Sequence, residues 1–279
     1  SSPCASMGKP AFGAMRAGVC VHSTPSRCGV EREVCDMNTP RMRIAVDGVE
    51  SEVQAGGMLL DALEVAGVHV PTLCHDPRLT PQGSCGICMV EVKRGDAWVQ
   101  APACATPATD GVEVRTASEP LTRTRRWTIE LLFSNHSTAA RYYPQRKVDG
   151  RKPPLVCACK GHESCALRSL CLDLGAEPDR LEVRGKAEPP EELRPGIELE
   201  MSKCIRCDRC VRICREVADV EALGFAARGR DTTLVFAMPG SVELRDRCDR
   251  CVETGALCID TCPTDALRPP RRKSTLKVV

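Results

Sequence analysis

Cys74, Cys85, Cys88 and Cys104 form the first of four cysteine sets along the chain. Cys157, Cys159, Cys165 and Cys171 form the second, Cys204, Cys207, Cys210 and Cys214 the third, and Cys248, Cys251, Cys258 and Cys262 the fourth. Together they account for sixteen of twenty cysteines in 279 residues. Each set can supply about four thiolates, the donor complement of an iron–sulfur cluster or a structural zinc. Iron held by thiolates does one-electron chemistry, so four such centres in one chain read as a path for electrons. Disulfides are the competing use of cysteine. Close Cys-x2-Cys pairs, the chain length and the lack of a continuous apolar stretch in the first 20 residues count against them.

The last two sets have the most restrictive spacing. Cys204-x2-Cys207-x2-Cys210-x3-Cys214 is the bacterial ferredoxin run, with Arg215 where proline is usual. Its partner is Cys248-x2-Cys251-x6-Cys258-x3-Cys262, followed by Pro263. In two-cluster ferredoxins the fourth cysteine of each run ligates the other cluster. One 4Fe-4S cluster is therefore expected on Cys204, Cys207, Cys210 and Cys262, and the other on Cys248, Cys251, Cys258 and Cys214. Lys203, Arg206, Arg209, Arg212 and Arg215 crowd the third run. They read either as a solvated, helix-compatible face or as cations that stabilise a reduced cluster.

The first set has the frame Cys74-x10-Cys85-x2-Cys88-x15-Cys104, which departs from the plant-type spacing. Gly83-Ser-Cys-Gly86 supplies small residues that let backbone N–H groups approach sulfur and so tune a potential. The elements that must carry this set can be read from pattern. Met42–Val46 and Val49–Val53 alternate about an Asp47-Gly48 hairpin turn. Met58–Ala66 reads as a short helix ended by Gly67, and Met89–Val92, Trp98–Val99 and Val112–Val114 as further strands. Ser118, Glu119 and Pro120 start a helix whose apolar face takes Leu121, Trp127, Leu131 and Leu132.

Aromatic residues are only 3%, with 21 Pro and 21 Gly, so large hydrophobic cores are not expected and metal ligation should help fix the chain. A net charge of +2 gives no push toward nucleic acid or membrane, and no apolar run reaches the roughly 20 residues needed to cross a bilayer.

Pro71-Thr-Leu-Cys-His-Asp-Pro77 and Gly83-Ser-Cys-Gly-Ile-Cys-Met-Val-Glu-Val92 closely resemble the 2Fe-2S domain of the large iron–sulfur subunit of NADH dehydrogenase complexes. The same domain opens iron-only hydrogenases and the diaphorase subunit of NAD-linked hydrogenase. Lys203–Val217 and Ala222–Asp231 resemble the double-cluster module of hydrogenase and formate dehydrogenase subunits. The resemblance spans about residues 42–267 and implies a 4Fe-4S cluster with one His ligand at the second set. Ser134-Asn-His136 and Cys159-Lys-Gly-His-Glu-Ser-Cys165 match that pattern. The chain departs from it in the twenty residues separating His136 from Cys157 and in the Cys157-Ala-Cys159 pair. Either His136 or Cys171 completes the set with Cys157, Cys159 and Cys165.

The expected fold is α+β, in three cluster-binding units: a β-grasp 2Fe-2S ferredoxin domain over 41–117, a small helical His/Cys 4Fe-4S domain over 118–180, and a bacterial-type two-cluster 4Fe-4S ferredoxin domain over 200–268. A linker is expected at 181–199 and a basic tail at 269–279. Residues 1–40, with Cys4, Cys20, Cys28 and Cys35 at spacings that match no cluster, read as a disordered extension or a targeting segment.

No strand is followed by Gly-x-Gly-x-x-Gly and there is no P-loop, so no nicotinamide, flavin or nucleotide site is expected. The short tail after Leu267 leaves no room for a hydrogenase or molybdopterin site. The expected role is a non-catalytic electron-transfer subunit. It would join a flavin subunit that meets NAD(P)H to a catalytic hydrogenase or formate dehydrogenase subunit, in the cytoplasm, or in an organellar matrix if residues 1–36 are a transit peptide. The alternatives are the electron-entry module of a respiratory NADH:quinone oxidoreductase and a zinc-binding interaction protein. A brown protein with acid-labile sulfide excludes the zinc reading.

Overall fold

The computed structural model describes residues 40–134, 165–177, 181, 190–237 and 240–270. His136, Cys157, Cys159, His162, the four cysteines before residue 40 and the tail from 271 lie outside them.

Strands β1 (Arg41–Val46) and β2 (Val49–Gln54) pair antiparallel in unbroken register from Arg41 opposite Gln54 to Val46 opposite Val49. The alternation read from sequence puts Met42, Ile44 and Val46 inside. Helix α1 (Leu59–Val65) follows, its start closed by the Asp61 carboxylate accepting from the Met58 N–H at 3.2 Å. Strands β3 (Met89–Arg94), β4 (Ala97–Pro102) and β5 (Val112–Arg115) complete a five-stranded sheet of order β2-β1-β5-β3-β4. The β1–β5 pair is parallel and the others antiparallel. Leu59, Leu63, Val90, Val92 and Val114 fill the space between helix and sheet, and Cys88 and Cys104 belong to the same core.

Helix α2 (Glu119–Ser134) is capped by Ser118 Oγ accepting from the Leu121 N–H at 3.2 Å. Its inward face differs from the one expected. Leu121, Arg125, Ile129 and Phe133, spaced four apart, are buried, whereas Trp127 is 44% and Leu131 54% exposed. The apolar residues lie on more than one side of the helix, so hydrophobicity alone does not choose the buried stripe. Arg125 enters it because its guanidinium donates to the Met89 carbonyl at 2.6 Å. Helix α3 (Ala166–Asp173) packs against α2.

The C-terminal unit starts earlier than composition suggests. Residues placed in a linker form strands β6 (Glu191–Arg194) and β7 (Ile197–Leu199), and β7 pairs with β10 (Leu267–Arg268) at the far end of the unit. The acidic, proline-rich approach hides the hairpin, but Ile197 and Leu199 alternate inward. Its turn needs Gly196, at φ 87°, where an added Cβ would come within 2.9 Å of Val252 Cγ1. Helices α4 (Arg209–Glu216), α5 (Val242–Glu253) and α6 (Leu257–Asp260) and the ribbon of β8 (Leu223–Ala226) with β9 (Thr233–Phe236) complete it.

Glu200, between β7 and Cys204, accepts from Arg268 at 2.5 Å and Lys203 at 3.0 Å. Burial disfavours its charge, but these two cations outweigh that and hold its carboxyl below the ordinary glutamate value. A group whose folded pKa is depressed stabilises the fold above its unfolded pKa of about 4.3 and loses that contribution as pH falls through the folded value. The melting temperature of Glu200→Gln should therefore lie below wild type at neutral pH, with the gap closing below about pH 4. A constant gap across that range would show that the loss is one of shape rather than charge.

Candidate metal centre

The first cysteine set is gathered from the loop between α1 and β3, which carries Cys74, Cys85 and Cys88, and from the 3-10 turn after β4, which carries Cys104. Cys74, Cys88 and Cys104 are buried and Cys85 is half-buried. Cys74 Sγ accepts from the Cys85 N–H at 3.4 Å, and Cys88 Sγ lies 3.3 Å from Cys104 Sγ. Gly83 permits this turn at φ 69°, with Ala105 Cβ only 3.0 Å from where a Cβ would stand. Four sulfurs this close cannot all ionise unaided. Hydrogen bonds from the Cys104 and Cys85 thiols push Cys74 toward thiolate, and donating those bonds, with burial, pushes Cys104 and Cys85 the other way. A hydrogen bond from the Cys104 thiol lowers Cys88 to about 7. Cys74, Cys85, Cys88 and Cys104 would all be held as thiolates by a bound cation, with release of their protons.

The third and fourth sets divide between two cavities. Cys204, Cys207, Cys210 and Cys262 line one, walled by Ile205, Phe225 and Leu234. Cys214, Cys248, Cys251 and Cys258 line the other, walled by Ile197, Val220 and Phe236. Backbone N–H groups reach sulfur in both: Arg206 donates to Cys204 at 3.4 Å and Ala222 to Cys214 at 3.3 Å. Arg206 and Asp208 achieve this turn with φ of 54° and 65°. Burial pushes the Cys204 thiol up to about 11, and Cys207 and Cys258 to about 12. All-thiol, apolar, N–H-bearing walls fit a thiolate-bound cluster, whose charge would offset that burial. None of the described cysteines is in a disulfide.

Of the second set, Cys165 and Cys171 are described and both are buried. They share a core with Leu73 and Ile87 of the first loop, Ile129 and Phe133 of α2, and Ile205 of the third run, with Cys85 and Cys207 at its edge. The Ala166 N–H donates to the carbonyl of Pro263, next to Cys262, at 2.9 Å. This half of the second set is thus wedged between the first and third sets.

Of the basic residues of the third run only Arg215 is solvated, with its side chain 55% exposed. Lys203 and Arg212 are buried, and Arg209 and Arg212 bind the first loop. Asp76, its side chain 2% exposed, accepts from Arg209 at 2.8 Å, Thr261 Oγ1 at 2.8 Å and Arg78 at 2.9 Å. Burial opposes its charge, but the hydrogen bonds from Arg78 and Arg209 hold it well below the carboxylate range. Arg209 also donates to the Leu73 carbonyl at 3.4 Å and to Thr261 Oγ1 at 3.1 Å. Leu73 precedes Cys74 and Thr261 precedes Cys262, so one carboxylate ties two cysteine loops together. Nearby, Arg212 bonds Gln82 at 2.9 Å and the Thr80 carbonyl, and the Thr80 N–H donates to Glu216 at 2.8 Å. Sequence reasoning passed over Asp76 and Thr261. Their only local signal is adjacency to cysteines.

Residues 39–119 match the 2Fe-2S iron-sulfur cluster binding domain, and residues 194–268 match the ferredoxin-like domain of NADH-quinone oxidoreductase subunit 3. The chain is 34% identical over 229 residues to an NADH-quinone oxidoreductase subunit of Rhizobium meliloti (strain 1021), covering 81% of this chain and 24% of that one. It is 30% identical over 228 residues to the NADPH-Fe(3+) oxidoreductase subunit alpha of Geobacter sulfurreducens (strain ATCC 51573 / DSM 12127 / PCA), covering 80% and 24%. It thus spans about a quarter of the length of these curated relatives. Among solved structures, a chain of an NAD+-reducing [NiFe]-hydrogenase in the H2-reduced state superposes with a TM-score of 0.65 at 25% identity, covering 84% of this chain and 89% of that one.

Proposed function

For an iron–sulfur chain of the NADH dehydrogenase type, we propose a non-catalytic electron relay between two partner subunits. Cys74, Cys85, Cys88 and Cys104 would hold a 2Fe-2S cluster. Cys204, Cys207, Cys210 and Cys262 would hold one 4Fe-4S cluster, and Cys214, Cys248, Cys251 and Cys258 another. A third 4Fe-4S cluster would use Cys157, Cys159 and Cys165 with His136 or Cys171. Bound clusters supply one-electron transfer, with no bond made or broken in a substrate.

The observation that carries this reading is the Asp76 junction. It fixes the Cys74 loop against the Cys262 loop through buried hydrogen bonds, so the first and third thiol sets sit at a set spacing. The N–H groups aimed at Cys74, Cys204 and Cys214 would stabilise the charge added on reduction.

The partners proposed are a flavin subunit that meets NAD(P)H on one side and a hydrogenase or formate dehydrogenase subunit on the other, and likeness to a chain of an NAD+-reducing [NiFe]-hydrogenase favours the hydrogenase. A second reading, the electron-entry module of a respiratory NADH:quinone oxidoreductase, is favoured by the Rhizobium meliloti relative. No helix among the described residues is long and apolar enough to cross a membrane.

Anaerobically purified protein should be brown and carry about 14 irons with matching acid-labile sulfide. About 10 would remove the second centre. A colourless, zinc-bearing protein would end the relay reading, and co-purifying subunits would decide between the two settings.

A further inference from the structure

The two cavities of the C-terminal unit differ in charge. Among the described residues, the only charged side chain on the wall of the Cys214, Cys248, Cys251 and Cys258 cavity is Arg194, from the end of β6. The only one on the wall of the Cys204, Cys207, Cys210 and Cys262 cavity is Asp208. Arg206 and Arg209 act on the Cys204 and Cys207 sulfurs through space, but their guanidinium groups also bond the Thr232 carbonyl at 3.0 Å, and Asp76 and Thr261, respectively.

Arg194 is held in place on several sides. One amino group donates to Cys248 Sγ at 2.6 Å and the other to the Asp249 carboxylate at 2.5 Å. Its guanidinium carbon lies 5.3 Å from the centre of the Phe236 ring. The side chain is only 10% exposed, and Nε is buried without a hydrogen-bond partner. Arg194 thus sets a buried positive charge and a donor directly against a sulfur, on a cavity wall otherwise made of thiols and apolar groups.

We propose that Arg194 is a positioning and tuning residue that makes the centre held by Cys214, Cys248, Cys251 and Cys258 the more oxidising of the two in this unit, so that an electron shared between them rests there. The inference builds on the ligand sets proposed above. Adding one electron makes the thiolate-bound group more negative. A fixed cation and a donor to Cys248 Sγ stabilise that charge, while Asp208 opposes it at the other cavity. No bond forms or breaks. No proton is taken up by Arg194, because its guanidinium stays protonated throughout.

The test is a dithionite titration of the whole protein followed by electron paramagnetic resonance, with the signal of this centre identified by its loss in Cys258→Ser. In Arg194→Gln with full iron and sulfide, the midpoint of that signal should fall by at least tenfold in the reduction equilibrium, about 59 mV for one electron. The other signals should stay within experimental error. Arg194→Lys, which keeps the charge, should recover more than half of the shift. If Arg194→Gln loses iron, Arg194→Lys decides alone: full iron at near wild-type midpoints supports the role of charge, and lost iron overturns it. An unmoved midpoint in iron-replete Arg194→Gln, or an equal shift in Arg194→Lys, also overturns it. If the ligand sets themselves are wrong, Cys214→Ser leaves the Cys258-dependent signal in place, which separates that failure from this one.

Discussion

Replacing Cys262 with serine should abolish the centre of the Cys204, Cys207 and Cys210 cavity and leave that of its own run, Cys248, Cys251 and Cys258, in place. Cys262 lies at the end of the fourth set in sequence, but its side chain faces the cavity lined by the third set. Cys214 crosses in the opposite sense. The expected measurement is a loss of about 4 irons per chain, with disappearance of the signal also lost in Cys207→Ser and retention of the one lost in Cys258→Ser. The converse outcome, loss of the Cys258-dependent signal, would mean that each run closes on its own cluster. If the two runs exchange ligands as proposed, Cys262→Ser should also loosen the pairing of β7 with β10, because ligand bonds form only in the folded state.

Asp76→Asn should be the most destabilising single change away from the thiols. Removing one partner of a buried ion pair typically costs about 3–5 kcal/mol, because the other charge stays buried without compensation. Arg209 is that charge here, with its side chain largely buried, and Thr261, Arg78 and Arg209 are left with one amide oxygen in place of two carboxylate oxygens. The Arg78 arm is more exposed and adds little. A fall in melting temperature on the order of 10 °C is expected, together with faster hydrogen exchange in the loop from Leu73 to Gln82. Neutralising an exposed pair, as in Arg41→Ala beside Glu52, should change stability by no more than about 1 kcal/mol and serves as the control. A wild-type melt for Asp76→Asn would show that the junction does not hold the two cysteine loops together.

What could be read before any coordinates follows from the range of each signal. The β1–β2 hairpin, α1 and the later strands depend on alternation, an Asp-Gly turn and local caps, all of which lie within a few residues. The thiol sets are legible for a similar reason, since ligands of one cluster recur at short fixed steps and a cysteine has few other buried uses at that spacing. Similarity of residues 39–119 and 194–268 to cluster-binding domains follows the same motifs.

The remainder depends on side chains that meet across long separations. Periodicity could not pick the inward stripe of α2, because Trp127 and Leu131 are as apolar as the residues that are buried, and the choice falls to a guanidinium reaching Met89. Composition placed β6 and β7 in a linker, because their strand character is completed by β10 some seventy residues later. The cationic run reads as a solvated face until Asp76, Thr80 and Gln82 supply its partners from the first domain. Arg194 carries no motif at all. A sequence records which donors are present, because ligand chemistry is a property of residue type and spacing. Which charge lies beside which sulfur is decided only when the chain closes, since electrostatic interactions depend on distance and burial that no local pattern encodes.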